Sequence, residues 1–307
     1  MKNSNDIMFV GFPGSIFSSL LEKHGIFVIS PYKYCTRYAY KVRFLLNWAH
    51  LKLGYLSELN DSILNYQAKV IIVEGSLIFE PFIKKLRESF PDATIKYLYP
   101  NIVADKASLH PDVLRKYGCK LYSWDIRDCL KYKLILTKSF YDKNILKLAD
   151  RFDYDLCFIG TDKGRYATVK SIKNYADRNG LRFYMHVCPT FNFLRFLHSY
   201  YKKPLAYNDY LFVVSKSRCI IDFVRSGQSG TTMRTMEAIF SGQKIISNND
   251  YLKKMDFFLP ENIYILKDGN FDGLKDFLLK ETVPVDEAIL KTYSFEYWYN
   301  HLMEDYD

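Results

Sequence analysis

The run Val70-Ile71-Ile72-Val73-Glu74 is β-branched and apolar up to its last residue. A strand that is apolar on both faces has no side for water, so it belongs inside a parallel sheet with helices on both faces. The surrounding sequence repeats that design. Residues 7–11 and 26–30 read as strands around a helix near 15–24, which Gly25 stops. A helix near 81–89 carries Pro81 in its first turn, and the strand at 94–99 is stopped by Pro100. Residues 121–123 and the stretch around 132–138 read as the closing strands of this half, with 143–150 a polar connection.

A second series opens at 155–160. It continues with a helix at 166–179, Gly180, a strand at 181–187, a strand-like run at 211–215, a helix at 231–240, and strands at 244–247 and 263–266. Two successive βαβ series predict an α/β chain of two Rossmann-like, doubly wound domains facing across a cleft. The 307 residues suit two domains of ordinary size. The expected division is 1–150, an acceptor-side domain, and 151–307, with the last helix packing back on the first. Ligands of such sheets bind beyond the carboxyl ends of the strands, so the loops there hold the candidate residues.

Composition excludes several classes. With 49% hydrophobic and 25% charged residues the chain buries a core. It has no run of about 18 apolar residues to cross a membrane, and its start lacks the apolar stretch of a secretory signal. Six cysteines without a CxxC pair read as reduced thiols of a cytoplasmic protein, and six scattered histidines offer no metal site. Charge is uneven. Residues 1–150 carry 22 Lys and Arg against 14 Asp and Glu, a net +8, and residues 151–307 carry 21 against 20. A basic half implies an anionic partner.

Two glycine-bearing turns follow strands and open helices. In the first, Gly160-Thr161-Asp162-Lys163-Gly164-Arg165, a helix N-terminus joins two full positive charges, which suits a pyrophosphate. The GK[ST] ending of a P-loop is missing. The bland reading is a strand–helix turn with solvated charges. The second turn runs from Gly227 and Gln228 through Gly230 into Thr231, Thr232, Arg234 and Glu237. Its threonines can cap a helix and present hydroxyls and amides to phosphate, while Glu237, below the helix start, can accept from ribose hydroxyls. The bland reading pairs Arg234 with Glu237, three residues apart on one face.

The segment GQSGTTMRTMEAIFSGQKIIS (227–247) resembles the donor-nucleotide segment of GT-B glycosyltransferases, especially those of bacterial capsule and lipopolysaccharide clusters. YDLCFIGTDKGR (154–165) and LYSWDIRDCLKY (121–132), ahead of Phe140-Tyr141-Asp142, resemble the same group. The three patches span 121–248, about two fifths of the chain. The resemblance implies that Glu237 holds the ribose and that Gly230, Thr231 and Thr232 meet the diphosphate. It implies that Lys163 and Arg165 neutralise the leaving nucleotide in place of a metal, with no cofactor besides a UDP- or GDP-type donor. Ser217 and Arg218, just upstream, are placed in the same pocket. Many retaining members carry a second glutamate eight positions before the ribose one, whereas Ser229 stands there in this chain.

An inverting reaction needs a base on the acceptor side. Glu74, Asp105 and Asp125 are the candidates, each against a plainer reading as a helix cap or turn carboxylate. Gly11, Gly14 and Ser15 form a turn facing the cleft, and His186 can approach the base of the nucleotide or serve only the fold. Within 33–53, Lys33, Arg37 and Lys41 share one face of a prospective helix, with Arg43 and Lys52 nearby. Val42, Leu45, Leu46, Ala49 and Leu53 occupy the other face, and no acid interrupts. Such a helix can lie on an anionic membrane surface or simply pack on the sheet. The expectation is a cytoplasmic transferase, peripheral on the inner face of the membrane, extending a glycan or lipid-linked glycan. The alternatives are a nucleotide-sugar epimerase of similar fold and a basic nucleic-acid binder; no RNA-binding motif is present.

Overall fold

A computed structural model of the chain describes residues 6–12, 16–33, 39, 42–43, 45–46, 58–76, 78–104, 108–190, 198–225, 227–267 and 269–304. The chain divides into two compact units, one of residues 1–138 and 299–307 and one of residues 139–298.

The first unit runs β1 (Ile7–Val10), α1 (Ile16–Lys23), β2 (Val28–Ile29), β3 (Val70–Glu74), α2 (Glu80–Ser89), β4 (Thr94–Tyr99), α3 (Pro111–Arg115), β5 (Lys120–Ser123), α4 (Ile126–Tyr132) and β6 (Ile135–Leu136). All six strands pair in parallel in the order β2-β1-β3-β4-β5-β6. The apolar run 70–74 is central, as its composition requires. Ile71 and Val73 sit in a core with Ile95 and Tyr97 of β4 and Phe82, Ile83 and Leu86 of α2. Burying each such side chain contributes roughly 1.5–3 kcal/mol. The closing stretch differs from expectation. Asp125 caps a helix through Tyr132, and Lys133 ends it in a left-handed conformation (φ 53°), so only Ile135–Leu136 remains as strand.

The second unit runs β7 (Leu156–Thr161), α5 (Tyr166–Arg178), β8 (Phe183–Cys188), α6 (Tyr207–Ser215), β9 (Cys219–Asp222), α7 (Met233–Ser241), β10 (Lys244–Ser247), β11 (Ile263–Ile265), α8 (Leu274–Leu279), α9 (Glu287–Lys291) and α10 (Phe295–Met303). The last helix begins here and ends in the first unit. The parallel order is β8-β7-β9-β10-β11. Counting strands within each unit, both sheets start 2-1-3-4-5. In each, the winding reverses beside its first strand, between β1 and β3 and between β7 and β9. That reversal opens a crevice at the carboxyl ends of those two strands. The run 211–215, expected as a strand, is helical. Tyr210, Leu211 and Val214 follow Tyr207 at helical spacing, and Val214 is buried in the core.

Candidate functional site

The reversal point of the second sheet lies between the end of β7, at Gly160 and Thr161, and the end of β9, at Asp222. The chain after β9 returns to it as the first turn of α7. Asp222 is fully buried and gathers that turn. Its Oδ2 accepts from Thr232 Oγ1 (2.5 Å) and Thr235 Oγ1 (2.9 Å), and its Oδ1 faces Arg234 Nη1 at 3.4 Å. Arg234 Nη2 donates to the Ile159 carbonyl on β7 at 2.8 Å. One guanidinium therefore ties together the two strands that flank the crevice. Gly160 makes room for it, since a Cβ there would lie 2.9 Å from Nη2.

Thr232 is the cap of α7, its Oγ1 accepting from the Thr235 amide at 3.2 Å. The amides of Met233 and Arg234 have no acceptor among the described residues, and neither does the buried Nε of Arg234. A helix start with bare amides and a fixed guanidinium is suited to an anion. The threonine hydroxyls expected to join them face the protein instead. Thr232 engages Asp222, and Thr231 Oγ1 lies 2.6 Å from Ser139 Oγ. The preceding loop is held from behind, with Asn249 Nδ2 donating to the carbonyls of Ser229 and Gly230 and the Gln228 amide to Arg225 O.

Arg234 and Glu237 do not pair. Glu237 is 1% exposed, and its Oε1 accepts from Tyr207 Oη at 2.9 Å while Oε2 accepts from Tyr210 Oη. Burial pushes its carboxyl up to about 7; the two tyrosine hydroxyls and Arg234 oppose that rise. Sequence reading missed Asp222, Tyr207 and Tyr210. Asp222 had a legible signal, an acid closing the apolar run Cys219-Ile220-Ile221 ahead of the glycine-bearing loop. The tyrosines carry none, because 211–215 reads as a strand.

The other candidates fall in several places. Arg165 sits at the same reversal but turns inward. Its Nε, Nη1 and Nη2 donate to the carbonyls of Asp162, Phe223 and Thr161, and burial lowers its pKa. Lys163 is exposed in a left-handed conformation (φ 45°), its amide donating to Thr190 Oγ1. Ser217 and Arg218 are a correction. They precede β9 and lie at the opposite end of the sheet, where the Arg218 amide meets Tyr154 O and Ser217 Oγ bonds Val213 O. His186 lies inside β8. Its Nε2 contacts Lys203 O at 2.8 Å, Nδ1 has no acceptor or donor among the described residues, and burial lowers its pKa.

In the first unit Glu74 ends β3 beside Gly11, at that sheet's reversal. A Cβ on Gly11 would come within 2.9 Å of Glu74 Oε2. Asp125 is a helix cap, accepting from the amides of Arg127 and Asp128. Asp105, Gly14 and Ser15 lie outside the described residues, as does most of 33–53. Of that segment Arg43 is buried, its guanidinium 4.1 Å from the Tyr32 ring centroid, while Leu45 is exposed. Arg43, expected only near the basic face, thus lies inside, whereas Leu45, expected on the apolar face, is exposed. Among the described residues no group of His, Cys, Asp or Glu could hold a metal ion, and no helix is long and apolar enough to cross a membrane.

No family model and no curated protein matches the chain. Solved structures do. The lipopolysaccharide outer core galactosyltransferase WaaB aligns at TM-score 0.55 and 11% identity, covering 96% of this chain and 97% of its own. An alpha-glucosyltransferase in complex with UDP and DNA aligns at 0.54 and 12%, covering 97% and 92%. Anabaena HepE in complex with UDP and glucose aligns at 0.53 and 10%, covering 89% and 88%. Identities this low speak to architecture alone. With two doubly wound α/β units of like winding, the chain has the GT-B fold.

Proposed function

We propose that the chain is a glycosyltransferase that takes a sugar from a nucleoside diphosphate sugar, of the UDP or GDP type, and passes it to a surface polysaccharide or lipopolysaccharide glycan. The observation that carries this reading is the start of α7. Two amides without an acceptor among the described residues and the Arg234 guanidinium meet at a sheet reversal, an arrangement that suits a diphosphate. The leaving nucleoside diphosphate gains negative charge during transfer, and donors fixed in place lower the barrier without a metal. Two of the similar structures hold UDP, which agrees with a uridine donor. Glu74, at the carboxyl end of β3 and at the first unit's own reversal, is our candidate for the base. Asp125 is engaged as a cap. A lipid-linked acceptor would bring this basic chain to the cytoplasmic face of a membrane.

The test is a thermal-shift screen of the whole chain against UDP-, GDP-, CMP- and dTDP-sugars with and without EDTA, repeated with Glu237→Gln. One nucleotide should stabilise the protein, chelator should leave the shift intact, and the substitution should remove most of it. Failure of every nucleotide to stabilise the protein ends the reading. Interconversion of a sugar nucleotide without acceptor would replace it with the epimerase, and salt-sensitive RNA retention with nucleic-acid binding.

A further inference from the structure

Tyr207 and Tyr210 are three residues apart on α6 and therefore share a face. Their ring centroids lie 5.8 Å apart with planes at 13°, and each hydroxyl reaches a different oxygen of Glu237. An ionised carboxyl only accepts, whereas a protonated one must donate from one oxygen. A donor aimed at each oxygen therefore favours the ionised form and fixes the plane of the group. Each oxygen has two acceptor directions, so one on each is left by the tyrosines. Two such acceptor directions on one carboxylate are complementary to a vicinal diol.

We propose that Tyr207 and Tyr210 are positioning residues that hold Glu237 ionised and turned so that its remaining acceptor directions take the ribose hydroxyls of the nucleotide. The proposal rests on the donor reading above and adds a proton-linked control to it. The surroundings are otherwise balanced. Arg234, one turn earlier on α7, favours the charged carboxylate, and Asp222 at the end of β9 disfavours it. Tyr141 after β6 and Cys157 on β7 are held neutral by burial, the thiol pushed up to about 12. The carboxyl stands at about 7 with both tyrosine hydroxyls lowering it, so removal of either one raises it further.

The experiment is titration calorimetry of UDP and GDP binding from pH 6 to 9 on the whole chain, its Tyr207→Phe and Tyr210→Phe variants, and Glu237→Gln. The wild type should bind more tightly as pH rises through 7 and then level off. In either phenylalanine variant the rise should come about one pH unit later, lowering affinity several-fold near pH 7 and restoring it at pH 9. Glu237→Gln should be weak and flat. Superimposable pH profiles in wild type and both phenylalanine variants, or an equal loss at every pH, would overturn the positioning role and leave the donor site standing. Absence of nucleotide binding by the wild type would remove the donor site and the proposal together. Because Tyr210 is the deeper of the pair, Tyr207→Phe guards against a folding defect in one variant.

Discussion

Arg234 and Glu237 stand one turn apart with opposite charges, yet each bonds to another element instead. Asp222 and a β7 carbonyl hold the arginine, and two α6 tyrosines hold the glutamate. An i,i+3 pair on a helix surface is worth only a few tenths of a kcal/mol, so contacts between buried groups prevail over it. The environment of Glu237 has a thermodynamic signature. Its carboxyl is raised from 4.5 to about 7 in the native state. The corresponding stability is fully present below the unfolded value near 4.5 and is lost as pH rises through 7. Two and a half pH units correspond to about 3 kcal/mol. Denaturant melts of wild type and Glu237→Gln should therefore diverge across pH 4.5–7.5, with the wild type losing stability relative to the variant. A difference that stays constant over that window would mean the carboxyl is not buried in this way. The proximity of Gly160 to Arg234 could not be foreseen from sequence, because it depends on where a side chain 74 positions later comes to rest.

Among the elements, those legible in advance were set by local chemistry. The apolar run of β3, Pro81 at the start of α2 and Gly242 closing α7 each state their element within a few residues. The failures came where local preference was outvoted. Leu211–Ser215 includes Phe212, Val213 and Val214, which favour strands, but Tyr207, Tyr210 and Val214 bury one face of a helix beside β7 and β9. At the start of α7 the cap Thr232 and the acid closing β9, Asp222, both stand in the sequence, but the bond between them does not. That aspartate organises the turn, since three side chains of α7 converge on it. Asp222→Ala takes the acceptor from two threonine hydroxyls and the counter-charge from the partly buried Arg234, and should cost about 3 kcal/mol. Thr232→Val removes only the cap and its bond to Asp222, and should cost about 1–2 kcal/mol. Urea unfolding of the two variants measures both; equal losses would deny Asp222 its central place.

Across the molecule, the doubled winding was readable because each sheet announces itself through the alternation of apolar strands and amphipathic helices. The lysine inside β4 that meets the chain's last segment was not. Lys96, in the middle of β4, is buried and donates to the carbonyl of Leu302, 206 residues further on, with Tyr122 5.7 Å away. A charged-group hydrogen bond of this kind contributes about 1.5–3 kcal/mol. Lys96→Met should release residues 299–304, so amide exchange there should quicken while exchange in 156–247 stays as in wild type. Unchanged exchange at 299–304 would show that other contacts hold them.

Residues 299–307 complete the unit that began the chain. On a ribosome the segments emerge in a fixed sequence, and the second unit has all its parts once residue 298 has left the exit tunnel. The first waits, lacking the strap that reaches Lys96, until translation has passed through its neighbour. Of the two units, the one translated earlier is thus completed later, and a chain cut before residue 299 leaves the Lys96 ammonium without the Leu302 carbonyl.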